Sequence, residues 1–156
     1  MTIFKNIGLV GRPGSTEVLL TLERLLAFLQ KQGVEIIVEA KTAELVNRSD
    51  FRLCDREELS KHCDLVIVVG GDGSLLNIAK LIAAKQIPVI GVNRGRVGFL
   101  TDISPSKLEE QLSGVLSGEY SLDDRFLLDV GMRDPQTGTV DAFGSALNDV
   151  VLHPGI

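Results

Sequence analysis

The stretch "DLVIVVGG" (64–71) restricts the fold more than any other part of this sequence. It is apolar without a break from Leu65 to Val69 and then runs straight into glycine. A strand with one wet face alternates apolar and polar residues; one without alternation is covered on both faces, as in a parallel sheet. The neighbouring segments supply the cover. "NIGLVG" (6–11) reads as a buried strand. "STEVLLTLERLLAFLQKQG" (15–33) carries Val18, Leu19, Leu22, Leu25, Leu26 and Leu29 at helical spacing, with Ser15 or Thr16 to cap its start and Gly33 to stop it. "VEIIVEA" (34–40) is β-branched and reads as a second strand, "SLLNIAKLIAAKQ" (74–86) as a helix capped by Ser74, and "IPVIGVN" (87–93) as a fourth strand. "SPSKLEEQLSGVLSG" (104–118) opens with Ser104 and Pro105 and closes on Gly118. Residues 41–62 are the least legible; a loop followed by a short helix over "DREELSKHC" (55–63) is expected. Strand–helix alternation over residues 1–120 means an α/β fold, a doubly wound parallel sheet of Rossmann-like type.

Near Tyr120 the pattern changes. Phe126, Leu128, Val130 and Met132 alternate against Asp129 and Arg133, and Asp134 to Gly138 form a plausible turn. A β-hairpin is expected, so residues 121–156 read as the start of an antiparallel β-domain. No internal repeat or low-complexity stretch is present.

A chain of 156 residues, 44% of them hydrophobic, can bury one ordinary core. Its net charge of −5 and lack of any run of like charge argue against a nucleic-acid partner, which needs a basic face. One Tyr and no Trp leave no base-stacking stripe. Cys54 and Cys63 lack metal-ligand spacing and read as reduced, packed thiols; His62 and His153 are equally isolated, so no metal site is expected. "MTIFKNIGLV" is broken by Lys5 and Asn6 and is no signal peptide, and no apolar run reaches membrane-spanning length. A cytoplasmic protein with no membrane partner is the expectation.

Three glycine-containing loops, "GRPGS" (11–15), "GGDGS" (70–74) and "NRGRVGFLTD" (93–102), each follow a strand. In a parallel sheet they emerge on one edge, where open α/β folds bind ligands. Gly70, Gly71 and Gly73 could simply serve a tight turn of positive φ. That leaves Asp72 unexplained. Backbone N–H groups and a helix N-terminus attract phosphate, which Asp72 would repel unless a Mg²⁺ ion or a hydroxyl lies between them. Either arrangement points to phosphoryl transfer, in which a carboxylate orients a nucleophilic hydroxyl and accepts its proton. The lysine of an ordinary P-loop is missing. Arg12, Arg94 and Arg96 read as solvated loop cations in preference to phosphate ligands.

"GGDGS" is shared by NAD kinases, lipid kinases of the diacylglycerol and sphingosine type, and phosphofructokinases. In company with "GVNRGRVGFLTD" (91–102) and "LNDVVLHPG" (147–155), the sequence from Ile7 onward resembles the NAD kinase family. The resemblance implies phosphorylation of the adenosine ribose 2′-hydroxyl of NAD to give NADP, with ATP or polyphosphate as donor and a divalent cation such as Mg²⁺. Asp72 would be the catalytic proton acceptor, with Gly71 and Gly73 contacting the dinucleotide. Asn148 and Asp149 would hold its adenine and ribose, and Leu76 and Phe99 would line the adenine pocket. The bland alternatives are core packing for Leu76 and Phe99 and an exposed strand or turn pair for Asn148 and Asp149. Where the family often has Glu after the Asn, Asp149 is one methylene shorter. The family also implies a homo-oligomer and a further β-rich domain, so the chain is expected to be the N-terminal part of such an enzyme and inactive alone. A diacylglycerol-type lipid kinase and a non-catalytic nucleotide-binding module are the competing readings.

Overall fold

The computed structural model describes residues 2–48, 50–94, 98–147 and 149–151. The chain forms two compact units, Met1–Ser121 and Leu122–Ile156.

The first unit is a five-stranded sheet. Its strands are β1 (Asn6–Gly11), β2 (Glu35–Glu39), β3 (Arg52–Cys54), β4 (Leu65–Gly70) and β5 (Val89–Asn93). They are all parallel and lie in the order β3-β2-β1-β4-β5. The helices are α1 (Thr16–Gln32), α2 (Ala40–Val46), α3 (Leu59–His62), α4 (Asp72–Ile82) and α5 (Leu108–Ser117). The chain leaves β1 towards one edge of the sheet and returns beside it as β4, so the order reverses between these two strands. That reversal is the crevice where doubly wound sheets take their ligands.

Each inner strand feeds two cores, one on either face, as a period of two requires. Ile7 and Leu9 of β1, Ile36 and Val38 of β2, and Leu65, Ile67 and Val69 of β4 join one core. Leu22, Leu25, Leu26 and Leu29 of α1 and Leu108, Leu112 and Leu116 of α5 close it. Val10, Ile37, Val66 and Val68 turn the other way, onto Leu59, Cys63, Ile78 and Ile82 of the α3–α4 side. Burying each large aliphatic side chain contributes about 1.5–3 kcal/mol. The unbroken apolar run in β4 is thus explained by two covered faces.

Helix α1 starts and stops as its caps dictate: Ser15 Oγ accepts from the Val18 N–H at 3.5 Å, and Gly33 takes the left-handed conformation at φ 69°. Gly118 ends α5 in the same way, at φ 98°. Pro105 starts a short 3₁₀ turn, Pro105–Lys107, with Ser104 before it, so α5 proper begins later than the sequence suggests.

Three expectations are corrected. The expected loop after residue 40 contains helix α2 and strand β3, which makes "IPVIGVN" the fifth strand. Ser74 does not cap α4; Gly71 does, and its carbonyl accepts from the Ser74 and Leu75 N–H groups at 3.0 and 3.3 Å. Ser74 packs instead against Gly70, where a Cβ would come within 2.7 Å of its Oγ. Nor do Gly70, Gly71 and Gly73 have positive φ.

The second unit contains an antiparallel hairpin of β6 (Leu128–Arg133) and β7 (Val140–Ala146), with a bulge at Val130/Gly131. Asp134 shapes its turn. One carboxylate oxygen accepts from the Gln136 and Thr137 N–H groups at 2.7 and 3.2 Å, and Gly138 supplies φ 72°. A parallel α/β sheet followed by a small antiparallel one is the fold class that the sequence indicates.

Candidate functional site

At the β1/β4 reversal lies a cavity of about 450 Å³. The loop after β1 contributes Gly11, Arg12 and Pro13; the start of α4 contributes Gly71, Gly73, Ser74 and Asn77; Arg56 reaches in from the segment after β3. Among the described residues, nothing requires two of these positions to be glycine. Gly71 is extended (φ −108°, ψ −176°), Gly73 sits in the first turn of α4, and a Cβ on either would meet nothing within 4 Å. A helical glycine costs up to about 1 kcal/mol relative to alanine. What both positions keep is bare backbone facing open space, beside a helix N-terminus where N–H groups carry partial positive charge.

Asp72, the first residue of α4, is held by the loop after β5. Its carboxylate oxygens accept from the Phe99 N–H at 2.8 Å and the Leu100 N–H at 3.1 Å. A Cβ on Gly98 would collide with that carboxylate. The loop itself is anchored to the sheet: the Arg94 N–H donates to the Gly70 carbonyl at 2.8 Å, and Asp102 and Ile103 donate to the Gly91 carbonyl at 3.1 and 3.0 Å. Each carboxylate oxygen has lone pairs left for a further donor.

A second carboxylate organises the cavity from below. Glu39, at the end of β2, is only 2% exposed. Its Oε2 accepts from the Thr42 N–H at 2.9 Å and the Thr42 hydroxyl at 2.7 Å, and the same hydroxyl oxygen accepts from the Gly11 N–H at 2.8 Å. Its Oε1 accepts from Arg56 Nε and Nη2 at 3.1 and 2.9 Å. A buried carboxylate needs such partners, because leaving it unpaired costs several kcal/mol. The sequence analysis missed Glu39, Thr42, Arg56 and Asn77. Only the acid that closes the apolar run 36–38 could have signalled the network.

The other expected residues are scattered in circumstance. Leu76 is half-buried, and Phe99 is 94% exposed, which rules out core packing for its ring. Arg94 is neither free in solvent nor in the cavity; its Nε donates to Thr21 Oγ1 of α1 at 2.5 Å. Asp149 is exposed and belongs to the second unit. Asn148 and Arg96 lie outside the described residues. Cys54 and Cys63 are free and buried. Burial, then the neighbouring Cys54 and Asp64, push the Cys63 thiol up to about 12. Among the described residues, no group of three or more His, Cys, Asp or Glu could hold a metal ion, and no helix is long and apolar enough to cross a membrane.

A parallel sheet with a glycine-walled cavity at its point of reversal defines a doubly wound α/β domain, the class in which ligands are taken at that point. Residues 7–120 match the ATP-NAD kinase N-terminal domain, and the chain belongs to the NAD kinase family. It is similar to the NAD kinases of Hahella chejuensis (49% identical), Marinobacter nauticus (50%) and Pseudomonas aeruginosa (47%), each match covering 99% of this chain. The chain spans about half the length of these curated relatives, 52% in each case. Among solved structures, yeast NADH kinase complexed with NADH has the same fold. The TM-score is 0.77 at 18% identity, over 92% of this chain and 44% of that one.

Proposed function

We propose that this chain forms the N-terminal part of an NAD kinase, which transfers a phosphoryl group from ATP or polyphosphate to the adenosine ribose 2′-hydroxyl of NAD. One observation carries the reading. Gly71 and Gly73 keep bare backbone beside a helix N-terminus where nothing among the described residues requires glycine, and a phosphate drawn up to that backbone does require it. Asp72, between them in sequence, is the proton acceptor. The Phe99 and Leu100 amides hold its orientation, and its remaining lone pairs face the incoming hydroxyl in this reading. The new O–P bond forms as the bond to the leaving phosphate breaks, and the hydroxyl proton passes to Asp72.

Family membership and the relatives' names support NAD as acceptor. Asn148 and Asp149 are proposed to hold its adenine and ribose, an amide to donate and accept at a base edge and a carboxylate to accept from ribose hydroxyls. Leu76 and the exposed Phe99 ring offer apolar surface for the adenine. A divalent cation such as Mg²⁺ would enter with the donor's phosphates.

The test joins this chain to the second half of the Hahella chejuensis relative and measures NADP formation. Asp72→Asn keeps the shape but cannot accept the proton, and is expected to lower kcat by about 10²–10⁴-fold. Undiminished turnover in the pure variant would remove Asp72 from the chemistry. The 156-residue chain alone is expected to make no measurable NADP.

A further inference from the structure

We propose that Arg56 is a phosphate-binding residue for the donor's phosphate chain, and that the buried Glu39 carboxylate positions it. The chemical class of the ligand rests on the phosphoryl-transfer reading above; the site itself rests on geometry.

Arg56 lines the cavity together with Gly71, Gly73, Ser74, Gly11 and Arg12. Its Nε and Nη2 both donate to one oxygen of Glu39, and among the described residues Nη1 has no partner. The guanidinium is therefore fixed along one edge, with N–H groups left over on the other. A planar fork held in advance loses little freedom when it closes on phosphate oxygens. The Arg56 side chain keeps 32% of its exposure while that of Glu39 keeps 3%, so the acid is shut in and the base is the member of the pair that meets solvent.

Glu39 cancels one positive charge behind the cavity. Arg12 restores the balance, since it is exposed, lines the same cavity and pairs with no carboxylate among the described residues. With the N-terminus of α4, three positive features converge on the reversal point. Glu39 also ties both walls to one group. Its Oε2 holds Thr42, whose hydroxyl oxygen fixes the Gly11 N–H where the first loop begins, while its Oε1 holds Arg56. The acid is a positioning residue, and Arg56 makes the contact.

Titration calorimetry of the 156-residue chain with ATP, inorganic tripolyphosphate and NAD tests this. Arg56→Ala is expected to weaken ATP and tripolyphosphate alike, by about ten- to a hundredfold, with NAD unchanged. Because Arg56→Ala leaves Glu39 unpaired, Arg56→Lys provides a variant that keeps the charge and the fold. It is expected to weaken both anions several-fold, since an ammonium cannot fork. Glu39→Gln should act in the same direction, and in the double variant should add nothing to Arg56→Ala. Equal affinity for ATP and tripolyphosphate points to polyphosphate as donor, and tighter ATP binding to the nucleotide; the proposal holds in both cases. Wild-type affinity in the folded Arg56→Lys and Arg56→Ala variants overturns it, as does failure of the unmodified chain to bind either anion. In the joined enzyme the donor KM should rise in Arg56→Lys with the NAD KM unmoved. A joined enzyme that binds tripolyphosphate through Arg56 but makes no NADP would defeat the kinase reading and leave this one standing.

Discussion

Gly98 packs directly on the carboxylate of Asp72, and the two residues after it donate their amides to that same carboxylate. A side chain at 98 and the present position of Asp72 exclude each other. Gly98→Ala should therefore displace the acid or its loop while leaving the sheet intact. A shift of the order of 1 Å costs about 10²-fold in rate when the displaced group is reactive. The joined enzyme should show that loss in kcat with an unchanged circular dichroism spectrum. Full activity in Gly98→Ala would mean that the Asp72 position seen here is not the working one.

Gly73→Ala separates stability from binding. A Cβ there meets nothing, so the variant should gain up to about 1 kcal/mol in stability, read as a higher urea midpoint. Tripolyphosphate affinity should fall in the same protein, because the methyl group occupies the approach to the backbone. A variant that is more stable and binds equally well would show that the open space is not used.

The Cys63 thiol gives a pH-dependent prediction. In the unfolded chain it ionises near the ordinary value of 9.0, and in the folded protein at about 12. Its contribution to stability is complete below pH 9 and is lost as the pH climbs towards 12. Iodoacetamide at pH 9 should label it in urea and leave it almost unmodified in the native protein, since the thiolate is the reacting species. Rapid native labelling would place the thiol at the surface.

In the hairpin, the Gln136 and Thr137 amides hold the exposed Asp134 carboxyl below the usual range. The turn gains from this above the ordinary carboxylate value, and the gain disappears as pH falls through the lower, folded one. The amide resonances of Gln136 and Thr137 should titrate together with a depressed midpoint, and Asp134→Ala should abolish the transition.

The legible parts of the sequence were those in which one local rule governs many residues. Unbroken burial marks β4, leucine spacing marks α1, and Gly33 and Gly118 mark helix ends. Strand β3 has three residues and α2 seven, too few for any period to show, and α2 is capped by a carboxylate that also closes a strand. The Glu39–Arg56 pair joins residues 17 apart, so no short motif contains it. For Gly71 and Gly73 the sequence leaves a positive-φ turn and a phosphate-facing backbone both open, and their ordinary φ values remove the first. Arg94 looked like an idle loop cation because its partner, Thr21, is 73 residues away on α1.

Sheets of this topology that bind a dinucleotide across the reversal keep an acid at the tip of the second strand, free to grasp the ribose. Here the residue at that tip is Glu39, and all its reach is directed inward, to a threonine and an arginine. A dinucleotide laid in the customary way would find a closed fist where it expects a hand. With both oxygens engaged, Glu39 works as an internal tie between the end of β2, the start of α2 and the segment after β3.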